Sequence, residues 1–91
     1  MVTDKHHLLQ QIYSDLARAE KRLQKAKQTG DMAAEAKANA EASLLKDMFN
    51  LAQEVEVLAI AEVAQLPGPP TLGDNYRYRL AVVVYQRYLK E

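Results

Sequence analysis

Histidines and carboxylates are the first residues in this sequence that could do chemistry. His6 and His7 are its two histidines. Neighbouring helical residues point about 100° apart, so this pair cannot chelate one metal ion as an i, i+4 pair does. Residues 31–66 hold seven acidic side chains but no histidine, and therefore lack the Glu-x-x-His motif of di-iron helical bundles. We expect no metal site and no cofactor.

Catalytic nucleophiles and phosphate-binding loops are the second kind of chemistry to consider. The chain has no cysteine, no G-x-S-x-G motif and no glycine-rich phosphate loop. The lack of cysteine also excludes a disulfide framework and is compatible with a reducing cytoplasm. We therefore expect no catalytic residue, and we predict that the protein is not an enzyme.

Basic and aromatic side chains are the remaining candidates, since they can contact phosphates and stack on bases. Lys plus Arg is 12 and Asp plus Glu is 12, so the total charge favours neither nucleic acid nor an anionic membrane. Residues 1–30 hold six basic and three acidic side chains, residues 31–66 hold two and seven, and residues 67–91 hold four and two.

This distribution of charge has two interpretations. In the first, the basic first and last segments neutralise the acidic middle segment within a helical bundle. In the second, the chain is a small nucleic-acid-associated protein. Tyrosines such as Tyr76 and Tyr78 would stack on bases, and the predicted phosphate contacts are Arg18, Arg22, Lys25, Arg77, Arg79 and Arg87.

The elements that position these side chains follow from the apolar spacing. Residues 1–28 show a 3-4 heptad spacing, typical of a coiled-coil seam, in which Leu9 and Leu16 are core positions and Lys5 is the polar exception, and this predicts a first helix over residues 4–28. Residues 31–66 contain neither Gly nor Pro, which predicts one helix of about 35 residues, roughly 50 Å long. Thr3 or Asp4 is expected to cap the first helix.

A short turn joins these two helices and forces them into an antiparallel hairpin. Gly30 suits a left-handed C-terminal cap and Asp31 suits the N-cap of the second helix. The hairpin places Ala residues opposite each other near the turn and larger residues farther away. It also places Lys5 between Glu54 and Glu56, which predicts an ion pair there.

The last part of the chain is predicted to be a connector followed by a shorter helix. Residues 67–73 are rich in Pro and Gly, and we interpret them as a connector rather than a polyproline ligand. Asp74 is the expected N-cap of residues 74–89. The alternating Tyr and Arg from Tyr76 favour a strand, whereas the i, i+4, i+8 spacing of Leu80, Val84 and Tyr88 favours a helix. A lone strand has no partner in this chain, so we expect the helix.

The far half of the middle helix carries more apolar surface than the first helix can cover. We therefore expect an all-α single domain of residues 1–91 that assembles into an oligomeric helical bundle, a homodimer or a complex with another protein. No stretch of 18 residues is free of charge, so we expect no membrane segment and a cytoplasmic location. The predicted role is structural or adaptor, and the predicted interface residues are Leu45, Phe49, Val57, Ile60, Val63, Tyr85 and Tyr88.

Overall fold

The protein is all-α. The computed structural model describes residues 4–68 and 75–90, and the regular structure within them is helical. Helix, not strand, is therefore confirmed for the last element. The helices are α1 (Lys5–Thr29), α2 (Met32–Glu54), α3 (Val57–Ala64) and α4 (Asn75–Val84), which continues into a π-helical segment at Tyr85–Leu89.

The turn between α1 and α2 has the predicted caps. Gly30 adopts φ 74°, in the left-handed region, and its N–H donates to the carbonyl of Ala26. A residue without Cβ occupies this region without strain. The Asp31 carboxylate accepts the backbone N–H of Ala34 at 3.0 Å and so caps α2. At the start of α1, the carboxylate of Asp4 accepts the N–H of His6.

The hairpin core is graded from small to large side chains, as predicted. Alanines of both helices are buried near the turn, and Ile12 and Met48 are fully buried in its far half. The seam of α1 is rotated relative to the prediction, because Leu8 is fully buried whereas Leu9 and Leu16 are only partly buried. The C-terminal helix adds a third layer to the hairpin, and the side of α1 that carries Leu8 therefore belongs to the core.

The prediction of one continuous helix over residues 31–66 is wrong. Val55 (φ −121°, ψ 138°) and Glu56 (φ −67°, ψ 151°) are extended, and they separate α2 from α3. The break directs α3 against α4, where Val57 and Ile60 become 5% and 1% exposed. Burial of these side chains outweighs the helix propensity of a segment without Gly or Pro.

The C-terminal helix forms the third layer. It packs against α2 and α3 and buries Leu80, Ala81 and Val84, while Leu89 of the π-helical segment joins the same core. Polar contacts fix this layer to the hairpin and to the end of α3. They are Tyr76 with Asp47, Arg77 with Glu54, Arg87 with Glu41, Tyr88 with Asp15, and the Tyr78 hydroxyl with the carbonyl of Leu66.

Several sequence predictions lie outside the described residues. These are the cap at Thr3, the N-cap at Asp74 and most of the connector at 67–73, of which Pro67 and Gly68 are described. Among the residues that are described, none of the helices has the length and apolar character needed to cross a membrane.

Candidate interaction surfaces

The seven predicted interface residues either lie in the core of the single chain or pack against it. Leu45 and Ile60 are each 1% exposed, and Val57 is also buried. Val63, Tyr85 and Tyr88 are partly buried and pack against that core. The helices α3 and α4 thus cover much of the apolar surface that we expected a second chain to cover. Phe49, also partly buried, is the member of the set that lies at the edge of the hairpin.

Three of the six predicted nucleic-acid contacts are engaged with carboxylates of the same chain. Arg18 pairs with Asp15 within α1. Arg77 lies 3.4 Å from Glu54 and Arg87 lies 2.6 Å from Glu41, both on α2. The hydrogen bond from Arg87 to Glu41 raises the pKa of the guanidinium further above its usual range. These contacts place basic groups of the C-terminal layer against the acidic helix, as the neutralising interpretation predicts.

Of the other three predicted contacts, two lie together near the hairpin turn and the third lies apart from them. Arg79 is exposed on α4. Arg22 and Lys25 lie near the hairpin turn, where they line a groove between α1 and α2. The six basic residues therefore do not form one continuous surface that also presents the C-terminal tyrosines. Tyr76 and Tyr88 instead donate hydrogen bonds to carboxylates of the hairpin.

One flank of the hairpin is not covered by the C-terminal layer. We define the open face as Leu9, Tyr13, Leu16 and Leu23 of α1 with Phe49 of α2. Leu9, Leu16 and Leu23 follow one another at seven-residue intervals along one side of the buried line of α1. Asp15, which contacts Tyr88 of the C-terminal layer, lies on the other side.

The centre of the open face is an aromatic pair. The ring centroids of Tyr13 and Phe49 are 6.4 Å apart with an interplanar angle of 57°, a tilted arrangement typical of favourable aromatic contacts. Tyr13 is 62% exposed, although most of its ring is apolar. Tyr13 is not among the predicted interface residues, because the heptad pattern does not reveal which flank the C-terminal helix occupies.

A second surface lies between α1 and α2 near the turn. We call it the tip groove. It is an open cleft of about 620 Å³ with both apolar and charged residues along it. Alanines line its floor and charged side chains form its rim. The floor is Ala19, Ala26 and Ala38, which are buried, together with the exposed Ala34, and the rim is Arg22, Lys25, Asp31, Lys37 and Glu41.

The tip groove begins where the C-terminal layer ends. Arg87 bonds to Glu41, which also lines the groove, and the Tyr88 hydroxyl donates to Asp15 at 2.5 Å on the facing helix. The C-terminal segment therefore lies beside α1 and α2 up to this level. Beyond it, toward Gly30, the same side of the hairpin carries no helix from the described part of the chain.

The chemistry of these surfaces is that of contact and charge. Among the described residues, no polar or charged side chain is fully buried, and no three acidic or histidine side chains converge on one point as metal ligands would. Burial and a hydrogen bond to Asp15 raise the pKa of the Tyr88 hydroxyl, so this tyrosine is protonated and acts as a donor.

No family model matches this chain, and no curated protein or solved structure matches it either. Its function is therefore inferred from its own surfaces.

Proposed function

We propose that the protein is a non-catalytic structural or adaptor module that forms a homodimer through the open face. The observation that carries this proposal is the exposure of Tyr13, 62% accessible beside Phe49 on a helical face with further leucines. Tyrosine and phenylalanine are enriched at protein interfaces, where a rigid ring buries much area at a low entropic cost.

The charges beside the open face support a second copy of the chain as the partner. Glu20 of α1 and Lys46 of α2 both border a shallow depression that also contains Leu23. A two-fold interface brings the same patch of both chains together, so a patch with one charge of each sign can pair with itself. Two hairpins joined in this way would form a four-helix bundle of α1 and α2.

Two alternatives to the homodimer remain, one through the open face and one through basic residues elsewhere on the chain. A helical segment of another protein could cover the open face, and it would leave the chain monomeric in isolation. A nucleic-acid role has less support, because Arg18, Arg77 and Arg87 are ion-paired within the chain.

We propose the cytoplasm as the compartment of the protein, since a chain without cysteine is compatible with reducing conditions.

Molar mass in solution tests the homodimer. Light scattering over a wide concentration range should show a dimer for the wild-type chain and a monomer for Tyr13→Glu. Tyr13 is exposed, so the variant should have the same helical circular dichroism as the wild type. Its thermal midpoint should equal that of the wild type at a protein concentration low enough for both to be monomeric. Met32→Glu is the matched control, because Met32 is 80% exposed and lies outside the open face. A wild-type chain that remains monomeric at the highest concentration contradicts self-association.

A further inference from the structure

The shape of the tip groove suits a helix. The chain itself places helical residues on this side of the hairpin as far as Arg87 and Tyr88, which are anchored to Glu41 and Asp15. From Ala19 to Thr29, the groove extends for about 15 Å along α1 at 1.5 Å per residue. A floor of alanines allows the backbone of a packed helix to approach closely, at the short end of the usual 8 to 10 Å interaxial distance.

The charges of the rim indicate what kind of partner the tip groove would bind. Three cations line the groove, Arg22 and Lys25 from α1 and Lys37 from α2, facing across the alanine floor. Its two carboxylates are already engaged within the chain. Asp31 accepts the N–H of Ala34 as the N-cap of α2, and Glu41 pairs with Arg87. Arg87 neutralises Glu41, whereas Asp31 keeps its negative charge, so the three cations leave the rim with a net positive charge that a partner can complement.

We propose that the tip groove binds an acidic amphipathic helix of another protein. Small side chains of that helix, such as alanine, would face the floor, and glutamates or aspartates at i, i+3 and i+4 spacing would meet the cations on both sides. This binding goes beyond the proposed homodimer and is independent of it, because the open face lies on the opposite flank of α1.

A flexible polyanion is a weaker fit to the same groove. Nucleic acid would need phosphate contacts and aromatic stacking, but the lining of the tip groove contains no aromatic side chain. Its floor is apolar and shallow. Shape complementarity therefore contributes to affinity only when the ligand is a helix with small residues on one side. Binding that depends on both the floor and the cations therefore distinguishes a helix from a polyanion.

The test uses the full chain and a fluorescein-labelled peptide of about 12 residues, built from Ala and Glu and stapled into a helix with its glutamates on two edges. Fluorescence anisotropy measures its affinity at low and high salt. Three control probes are a scrambled stapled peptide of the same composition, the same peptide with Lys for Glu, and oligothymidine. Molar mass is measured on the same samples.

Two leucine substitutions provide the matched variants. Ala34 and Ala33 are both exposed on the first turns of α2, but only Ala34 lines the groove. Alanine and leucine are both good helix formers, so neither change should unfold the chain. We expect Ala34→Leu to fill the groove and weaken peptide binding by about tenfold or more, as loss of a central contact does, and Ala33→Leu to bind as the wild type does.

Charge reversal tests the rim. Lys37→Glu should weaken binding of the Glu peptide and remove most of the dependence of its affinity on salt. Lys21→Glu, at an exposed position outside the groove, should change the affinity little. The proposal is overturned if the wild-type chain does not bind the Glu peptide, or if the scrambled peptide or oligothymidine binds as tightly. It is also overturned if Ala34→Leu binds like the wild type. A monomeric wild-type chain that still binds the peptide contradicts only the homodimer.

Discussion

The Lys5 ammonium group lies 3.0 Å from the carbonyl oxygen of Gln53 and 3.2 Å from a carboxylate oxygen of Glu56. One cation at the start of α1 thus satisfies a carbonyl at the end of α2 and holds the first residues beyond that helix. The last carbonyls of a helix lack intrahelical partners, and positive charge is favourable there. The polar residue in the apolar seam of α1 therefore stabilises the point at which the second helix breaks.

The two partners of Lys5 should differ in importance. Glu56→Gln should cost less than about 1 kcal/mol, because Glu56 is largely exposed and exposed ion pairs contribute little. Lys5→Met should cost about 1 to 2 kcal/mol, since it also removes the hydrogen bond to the Gln53 carbonyl. Urea denaturation measures both, with Lys21→Met as an exposed control. Equal costs for the two changes would mean that the carbonyl contact contributes nothing.

The rotated seam of α1 makes a second prediction. Ile12 is fully buried, so Ile12→Ala should cost about 2 to 5 kcal/mol. Leu16 is only partly buried, and Leu16→Ala should cost clearly less although it removes a side chain of the same size. Gln24→Ala is the exposed control. If Leu16→Ala proved as destabilising as Ile12→Ala, the packing of α1 would follow the ideal heptad instead.

Local signals explain which parts of the fold were predictable. Gly30 and Asp31 define the turn by their own conformational and capping preferences, and the ion pair of Lys5 with Glu56 follows from the register that this turn imposes. The spacing of Leu80, Val84 and Tyr88 favoured a helix for the last element, and the lack of a partner for a lone strand decided against the alternative. Each of these features depends on residues close in sequence or on one hairpin register.

The break at Val55 and the position of the last helix depend on contacts with residues that are distant in sequence. No Gly or Pro lies near Val55, and the β-branched Val55 and Val57 disfavour a helix only slightly; the break forms because α3 can then bury Ile60 against the C-terminal layer. The same layer covers much of the predicted interface and leaves Tyr13 exposed instead. A heptad pattern indicates an apolar flank, but it does not indicate which flank a third helix covers.

Tyr88 should make stability depend on pH in the alkaline range. Burial and the hydrogen bond to Asp15 raise the pKa of Tyr88 above its ordinary value of about 10. Its contribution is fully present below pH 10 and is lost as the pH rises further, because the unfolded tyrosine then releases its proton while the folded one keeps it. Tyr88→Phe should lower the free energy of unfolding by about 1.5 to 3 kcal/mol at neutral pH, as expected for a hydrogen bond to a charged acceptor.

Denaturation of the wild type and of Tyr88→Phe at neutral pH and above pH 10 measures this effect. The difference in free energy of unfolding between the two proteins should shrink as the pH rises. The other tyrosines titrate in both proteins, so their effect cancels in this difference. Tyr85→Phe is the control, since the Tyr85 hydroxyl accepts a long, weak hydrogen bond of 3.4 Å from Gln65. A difference that stays constant across this range would show that the hydrogen bond to Asp15 does not form in solution.

Binding to nucleic acid should be weak and unspecific. Arg18, Arg77 and Arg87 are paired with carboxylates, which leaves Arg79 on α4 and the pair Arg22 and Lys25 near the turn. The affinity measured by anisotropy with DNA or RNA should fall steeply with salt, as for simple phosphate neutralisation. Tight binding that Arg22→Glu with Lys25→Glu abolishes, and that Lys21→Glu with Lys27→Glu preserves, would favour the nucleic-acid alternative over the interaction module.

Proline at position 56 distinguishes the broken helix from a continuous one. Glu56 has φ −67°, the value that a proline ring imposes, and Val55 is extended, as a residue before proline must be. In the described part of the chain, the Glu56 N–H donates no backbone hydrogen bond that proline would remove. Glu56→Pro should therefore be as stable as Glu56→Ala, or up to about 1 kcal/mol more stable, because it restricts the unfolded chain.

Glu56→Ala is the matched reference because both changes remove the carboxylate that Lys5 contacts. Gln53→Pro, inside α2, should instead cost about 3 kcal/mol or more, since its ring would clash with the preceding turn and an intrahelical hydrogen bond would be lost. Urea denaturation of the three variants measures these differences. If Glu56→Pro were as destabilising as Gln53→Pro, residues 31–66 would form one helix in solution, and α3 could not bury Val57 and Ile60 against α4 as it does here.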